Sequence, residues 1–409
     1  VENGLCIGCG LCESLAGSAR IEVAMTDGGR ERPIVRSAPD PAALRTIDAV
    51  CPGLQVRGAD RRRLPPGVAV DPVWGPVARL GRCHARDPQV RFKAASGGVL
   101  SALAGFLLDS GRVELVLHVA ASREAPMRSA AHVSFDRAQV IEGAGSRYGP
   151  AAALRGLCEI LDGNRTFALI GKPCDVSAVR NLARSDQRVD ERMRYALAFV
   201  CGGASTLGPS HDVLARFGIA EGELREFRYR GRGNPGPTAL ATADGRRFEL
   251  TYDEMWSGDE SSWQLQSRCK ICPDAIGEAA DLVAADAWPG GSPPAGGDDG
   301  FNAVIVRTRA GSELFDAAVA AGALTVCGPL ALRELDDCNP HQVTRKKAVA
   351  ARLAAVRAAG GRVPRVRGLR VARLALRNSP RRNIAEFRGA LRRARSGRFG
   401  EPPARREQP

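Results

Sequence analysis

The chain has 409 residues and a mass of 43.3 kDa, with 44% hydrophobic and 25% charged residues, an ordinary globular balance that excludes global disorder. No run approaches the roughly 18 uncharged apolar residues of a membrane span, so no integral membrane segment is expected. The formal charge of +14 is localised: residues 345–409 hold 20 of the 59 Lys and Arg but 3 of the 45 acids, a net +17, which leaves −3 on residues 1–344 (39 basic, 42 acidic). A pI near 9.7 therefore describes a basic appendix rather than the core.

The first residues, Val1 to Cys6, lack the charged and apolar regions of a secretory leader, and without an initial Met the native first residues are expected to be missing. A reducing cytoplasmic setting follows, in which twelve clustered cysteines read as metal or redox chemistry rather than disulfides. Residues 1–60 read as a cysteine-anchored module, and 61–80, opening on Arg61-Arg62-Arg63-Leu64-Pro65-Pro66, as a linker. Residues 81–344 alternate between helical and strand patterns. Ser96 is the expected N-cap of a helix through Val99, Leu103, Phe106 and Leu107, closed by Gly111. Val113 to Val119 reads as a buried strand, 150–161 as a helix and Thr166 to Ile170 as a strand. Asp175 is placed to cap a helix to about residue 183; Arg194 to Val200 is a strand and Leu207 to Phe217 a helix. Segments 238–242 and 246–251 form a hairpin across Ala243-Asp244-Gly245, and 289–300 is a loop. The alternation argues an α/β domain. The tail, 345–409, contains two expected helices split by Gly360-Gly361 and Pro364.

Cys6-x2-Cys9-x2-Cys12 with the distant Cys51-Pro52 is the spacing of a 4Fe–4S site: three thiolates from one turning backbone meet one cubane, and a remote Cys-Pro holds the fourth iron. Gly8 and Gly10 allow close backbone approach. Structural zinc is the alternative, but it favours two separated pairs. Cys269-x2-Cys272 is half a second site. Cys174 and Cys201 each follow a strand, and ends of neighbouring strands share one rim of an α/β sheet, so the four could hold a second cluster. The alternative is two buried core cysteines and an unrelated pair. Cys83, Cys158, Cys327 and Cys338 read as packing residues. The five histidines, at 84, 118, 132, 211 and 341, form no pattern and read as structural. No G-x-G-x-x-G leads from a strand into a helix, and no P-loop, zinc-protease motif or nucleophile elbow is present.

In their order along residues 4–310, the cysteine head, Ala95-Ser96-Gly97-Gly98-Val99, Gly145-Ser146-Arg147-Tyr148, Gly171-Lys172-Pro173-Cys174-Asp175, Cys201-Gly202-Gly203, Arg268-Cys269-x2-Cys272-Pro273-Asp274 and Ala280-Asp281-Leu282 to Asp286 resemble the coenzyme F-420 hydrogenase/dehydrogenase beta-subunit family. Lys172 stands where many relatives carry Thr, and Ala285 where Gly is common. The resemblance implies a ferredoxin-like iron–sulfur head joined to a flavin-binding α/β domain, with two 4Fe–4S clusters and FAD (FMN as the lesser alternative). The flavin phosphate is expected near Ser96, Gly97 and Gly98, at a helix N-terminus free of bulky side chains. Its ring is expected near Ser146, Arg147, Tyr148 and the loop of Lys172 and Cys174. A serine cap and an ordinary loop aromatic are the plainer readings of these residues.

The expected function is an iron–sulfur flavoprotein oxidoreductase passing electrons between ferredoxin or reduced coenzyme F-420 and an organic small-molecule acceptor. A non-catalytic electron-transfer subunit of a larger complex is the alternative, an oligomer stays open, and a zinc-bound nucleic-acid binder is the weakest reading. In the tail, Ile384, Phe387 and Leu391 form a narrow apolar stripe on a cationic helix. It reads either as a solvated terminus or as a dock for an acidic electron donor.

Overall fold

The structure, a computed structural model, describes residues 1–256, 263–294 and 298–406. The head contains α1 (Leu11–Ala16), the antiparallel hairpin β1 (Ile21–Thr26) and β2 (Arg30–Val35), α2 (Pro41–Val50) and β3 (Gln55–Arg57). Asp40 caps α2 through a hydrogen bond from the Ala42 amide at 3.3 Å, with Pro41 at the first helical position. The expected linker is structured: a single helical turn at Arg61–Arg63 and the hairpin β4 (Ala69–Asp71) and β5 (Gly75–Val77) lead into β6 (Arg79–Ala85).

The body follows as α3 (Pro88–Lys93), α4 (Val99–Asp109), β7 (Leu115–Ala121), β8 (Ser129–Ser134), α5 (Arg137–Glu142), α6 (Leu157–Asp162), β9 (Phe167–Gly171), α7 (Pro173–Leu182), α8 (Gln187–Arg192) and β10 (Met193–Phe199). After α9 (Gly208–Phe217), a separate antiparallel sheet forms from β11 (Leu224–Arg228), β12 (Thr238–Thr242) and β13 (Arg247–Leu250). Next come α10 (Tyr252–Trp256), α11 (Ser267–Lys270), β14 (Leu282–Asp286), β15 (Asn302–Val306), α12 (Arg309–Ala320), β16 (Leu324–Pro329) and α13 (Leu332–Cys338).

Eight strands make one mixed sheet in the order β16-β6-β15-β14-β10-β9-β7-β8. The central four, β14, β10, β9 and β7, are parallel, and the flanking pairings are antiparallel. Alternate residues enter two cores, one on each face: Phe167, Leu169 and Val283 join Val176 and Val179 of α7, whereas Ala168, Leu197 and Leu282 join Leu103 and Leu107 of α4. Burial on both faces explains why these strands read as continuous apolar runs.

Local expectations are corrected at three places and refined at a fourth, Asp175. Gly98, at φ +71°, is the N-cap of α4, and Asn302 Oδ1 accepts the Val99 amide at 3.2 Å in place of a serine cap. Only the end of the expected helix over 150–161 is helical. Residues before Gly156 dock on the head instead, with the Leu154 amide donating to the Cys9 carbonyl at 2.8 Å. Asp175 is the third residue of α7 and caps it from there: Lys172 is the N-cap residue, and its amide donates to Asp175 Oδ2 at 3.0 Å. Cys327, expected to be packed, is exposed at a register shift in the edge strand β16.

The basic tail is built in. Residue 345 falls within α14 (Pro340–Ala358), and β17 (Arg365–Arg367), α15 (Val371–Arg377) and α16 (Pro380–Arg395) follow. β17 pairs in parallel with β3 of the head. Buried Lys346 donates to Glu278 Oε1 at 2.7 Å, and Arg370 to Oε2 at 2.5 Å. Beyond α16, buried Arg32 and Glu401 pair at 2.6 Å, and Phe399 joins Leu5, Ile271, Val349, Leu353 and Val356 in one cluster. A cationic composition is compatible with burial where each cation meets an acid supplied by another element. The apolar stripe of α16 is only partly covered: Ile384 is 52% exposed, and the fully buried position is Ala390. Among the described residues, no helix is long and apolar enough to cross a membrane.

Candidate functional site

The head thiols gather around the turn into α1. Gly8 (φ +67°) and Gly10 (φ +85°) take left-handed conformations there, and a Cβ at Gly8 would sit 2.4 Å from the Glu31 carbonyl oxygen. The Gly8 amide donates to Cys6 Sγ at 3.3 Å. Cys51 ends α2 and brings the fourth thiol, and Arg268 of the body grips the next residue's carbonyl, Pro52 O, at 3.0 Å. Burial pushes Cys9 far up, helped by Cys51, Asp175 and Cys12; burial with Cys6 and Cys51 pushes Cys12 up to about 12. The four thiols thus lie within electrostatic reach of one another.

The second quartet is assembled by the sheet. β9 and β10 are adjacent and parallel, so Cys174 and Cys201, just past their ends, share the carboxyl-terminal rim. Cys269 and Cys272 join them from α11 and the turn after it. The Ala204 amide donates to Cys269 Sγ at 3.4 Å. Cys201 is pushed up to about 12 by burial and by Cys269 and Cys272; Cys174 is raised by burial and Asp175, with Cys201 and Cys272 adding to it.

Among the described residues, no three His, Cys, Asp or Glu side chains converge on one point as a single metal ion requires. A cubane asks for something else, since each thiolate binds its own corner iron and the sulfurs stand apart. Two sets of largely half-buried thiols, each with an amide N–H aimed at one sulfur, are a donor set that fits such a cluster, whose positive irons offset the repulsion among thiolates.

Beside the second quartet lies a cavity of about 680 Å³, in the size range of cofactor sites. Gly98, Ser146, Arg147, Tyr148 and Lys172 of the expected flavin residues line it, as do Cys201 and Asp175. Ser96 and Gly97 do not. Ser96, at φ +77°, donates its hydroxyl to the Phe301 carbonyl at 2.7 Å, and a Cβ at Gly97 would lie 2.7 Å from the Asn302 nitrogen. Leu100 and Ser101, the next residues of α4, face the cavity in their place. The Arg147 guanidinium is committed to structure, donating to the carbonyls of Pro126, Met127, Arg128 and Phe227. Tyr148 stacks on Trp256 with ring centroids 4.4 Å apart. Lys172 Nζ lies 2.9 Å from buried Asp175 Oδ2. Burial works against the Lys172 charge, but Asp175 and Cys174 outweigh it and raise its pKa. Sequence reasoning missed Arg230, Tyr252, Trp256, Trp263 and Trp288 in the wall; three of the chain's four tryptophans within 256–288 were the available signal.

A mixed α/β sheet with thiol-bearing loops and a cofactor-sized cavity at one rim is an arrangement compatible with a redox protein. Residues 81–157 match the N-terminal region, and 164–330 the C-terminal region, of the coenzyme F-420 hydrogenase/dehydrogenase beta subunit. Together these span more than half of the chain, and the protein belongs to that family. It is 23% identical to the coenzyme F-420 hydrogenase subunit beta of Methanosarcina barkeri, over 62% of this chain and 82% of the relative. It is 24% identical to the coenzyme F-420-dependent sulfite reductase of Methanocaldococcus jannaschii, over 54% of this chain but only 34% of the relative; of a further relative from that organism it spans 61%. A chain of the F-420-reducing NiFe hydrogenase complex of M. barkeri, from a xenon-derivatised structure, shares the fold with a TM-score of 0.56 at 18% identity, covering 73% of this chain and 98% of the other.

Proposed function

We propose that the chain is a cytoplasmic flavin- and iron–sulfur-dependent oxidoreductase that passes electrons between a low-potential donor, ferredoxin or reduced coenzyme F-420, and an organic acceptor through FAD. One observation carries the reading. The carboxyl-terminal rim of the adjacent parallel strands β9 and β10 puts Cys174 and Cys201 beside a cavity of about 680 Å³ that Cys201, Lys172 and Asp175 line, so thiols and a cofactor-sized space share one rim.

Cys6, Cys9, Cys12 and Cys51 would hold one 4Fe–4S cluster in a ferredoxin-like head, and Cys174, Cys201, Cys269 and Cys272 a second. When bound, the clusters supply single electrons and the flavin converts them to two-electron hydride chemistry. Lys172, held charged against Asp175, sets a fixed cation between the second quartet and the cavity. Gly98 leaves room at the α4 N-terminus, where Leu100 and Ser101 meet the flavin phosphate.

The test is anaerobic purification with iron, acid-labile sulfide and FAD counted per chain. Flavin reduction is then followed with reduced ferredoxin and reduced F-420 separately. About eight irons and one FAD are expected; a chain carrying neither sinks the reading. Because relatives are subunits of a hydrogenase complex, a second reading is an electron-transfer subunit without its own substrate. Turnover of a small acceptor by the isolated chain separates the two.

A further inference from the structure

The head meets the body along a short seam, with the segments of Cys6 and Cys51 on one side and α11 on the other. Leu5 and Ile271 share one apolar cluster there, and a Cβ at Gly4 would lie 2.9 Å from Ser267 Cβ. Arg268 of α11 sits in this seam, 2% exposed. Its chain neighbour Cys269 belongs to the body quartet, while its Nη2 donates at 3.0 Å to the carbonyl of Pro52, the residue after Cys51 of the head quartet. That carbonyl is its one hydrogen-bond partner among the described residues; its Nε is buried and unmet, and no carboxylate among them lies within ion-pair distance. Other buried cations are better matched. Arg32 lies on the same seam, within electrostatic reach of Cys6 and Cys269, but pairs with Glu401 at 2.6 Å. Lys346 has Glu278, and Arg307 donates to three carbonyls with Glu278 and Asp274 near it. A charge taken out of water with neither an acid nor full hydrogen bonding is costly unless something else offsets it. What flanks Arg268 on both sides is a set of four cysteines. Burial raises the Cys51 and Cys269 thiols, and Arg268 pulls against that at both. A cubane held by four thiolates carries net negative charge, and its potential follows the charges and hydrogen bonds around it.

We infer that Arg268 is a positioning residue shared by the two quartets, a common counter-ion that raises the reduction potential of both clusters and ties the head to the body at Pro52. The inference deepens the oxidoreductase reading, on which it rests for the two clusters being bound. Each electron accepted from the donor adds one negative charge on one side or the other of this cation, with no bond made or broken. The same guanidinium therefore favours the arrival of an electron at either site.

The test is a reductive titration of the purified holoprotein with dithionite and mediators, followed by electron paramagnetic resonance. Cys9→Ala, left with the body cluster alone, identifies which signal belongs to which quartet. Arg268→Gln removes the charge but still offers an N–H to the Pro52 carbonyl. It should lower both midpoint potentials together, making reduction at each site about tenfold harder or more, ~59 mV for one electron. Arg268→Lys keeps the charge and should hold both potentials close to native. Loss of iron from the Gln variant while the Lys variant keeps it would also support the inference, because both side chains offer an N–H and one alone is charged. An Arg268→Gln protein with full iron in which neither potential moves, or only one, overturns it. Equal shifts in the two variants, or equal loss of iron, overturn it as well, because the guanidinium's shape rather than its charge would then matter. Each of these results leaves the oxidoreductase reading standing. Native protein without iron defeats that reading and the inference with it.

Discussion

The two thiol quartets have the same composition and opposite construction. In the head, three of four cysteines come from one turn, and the fourth ends the helix packed beside it. In the body, Cys174 and Cys201 follow two parallel strands, and Cys269 and Cys272 come from a short helix and the turn after it, nearly 70 residues further on. Their surroundings differ as well. Arg268 acts on Cys51 of the head and on Cys269 of the body, whereas Lys172 acts on Cys174 of the body set, and Arg345 on both Cys201 and Cys269. The body set also borders the cavity, through Cys201. A site made by local chain needs little but its own turn; one made by a sheet depends on whatever clamps the loops.

That contrast can be broken most directly at the cysteines. Cys9→Ala and Cys201→Ala should each remove about four irons per chain. Cys9→Ala should keep its flavin reducible by dithionite while losing reduction by a protein donor, and Cys201→Ala, altering the cavity wall, should lose both. Full iron in either variant ends that quartet's assignment. The next largest effect concerns the clamp. α14 presses on the second quartet: Gln342 donates to the Cys201 carbonyl at 3.5 Å and Arg352 to the Lys270 carbonyl at 3.0 Å. Lys346→Met would strip buried Glu278 of one of its two cations, a change of about 3–5 kcal/mol. Urea unfolding should register it, and the second quartet should lose iron before the head does. Equal loss from both would show that the body set does not depend on the tail.

The same contrast explains what was legible in the sequence. The grouping of the head cysteines was legible because three of them share one turn. The strand-end placement of Cys174 and Cys201 followed from α/β topology, which the apolar runs at 167–171 and 193–199 made visible. What escaped was decided over long distances. The cap of α4 is Asn302, two hundred residues beyond the helix it caps. The cavity wall gathers Tyr148, Arg230, Tyr252 and Trp288, none of which marks the others in sequence. The tail misled because composition counts charges without their partners: Arg32–Glu401 and Lys346–Glu278 exist only after folding.

A smaller effect separates the cavity wall from both quartets. His118, on that wall, shares a hydrogen bond with Ser134 Oγ at 2.8 Å, and burial, with His132 adding to it, lowers its pKa to about 4. The unfolded chain takes up this proton near pH 6.5 and the fold only near 4, so the stability concerned is full above pH 6.5 and is lost as pH falls toward 4. The loss between pH 7 and pH 5 should be roughly 2 kcal/mol in urea titrations. His118→Gln should flatten that slope with both quartets' iron unchanged; an unaltered slope would assign the acid sensitivity elsewhere.

The smallest expected effect lies on the tail's outer surface, where the two quartets' unequal access to a protein donor can be probed. Truncating the tail would be uninformative, because removing β17, Glu401 and Phe399 would unseat the head. The outward face of α15 and α16 is separable from that role. Arg373, Arg377, Arg381 and Arg388 are exposed there, and Leu376 is 89% exposed among them. Residues 1–344 carry −3 and provide no attractive field of their own for an acidic donor. Exposed charges act over roughly a Debye length, ~8 Å at physiological salt, so their contribution should appear in the association rate and fade as salt rises. Replacing the four arginines by Glu should slow reduction by ferredoxin several-fold at low salt and hardly at all at high salt, with dithionite reduction unchanged throughout. Stopped-flow traces at both ionic strengths measure this, and an identical rate and salt slope in the variant would remove the tail from donor docking while leaving its structural role intact.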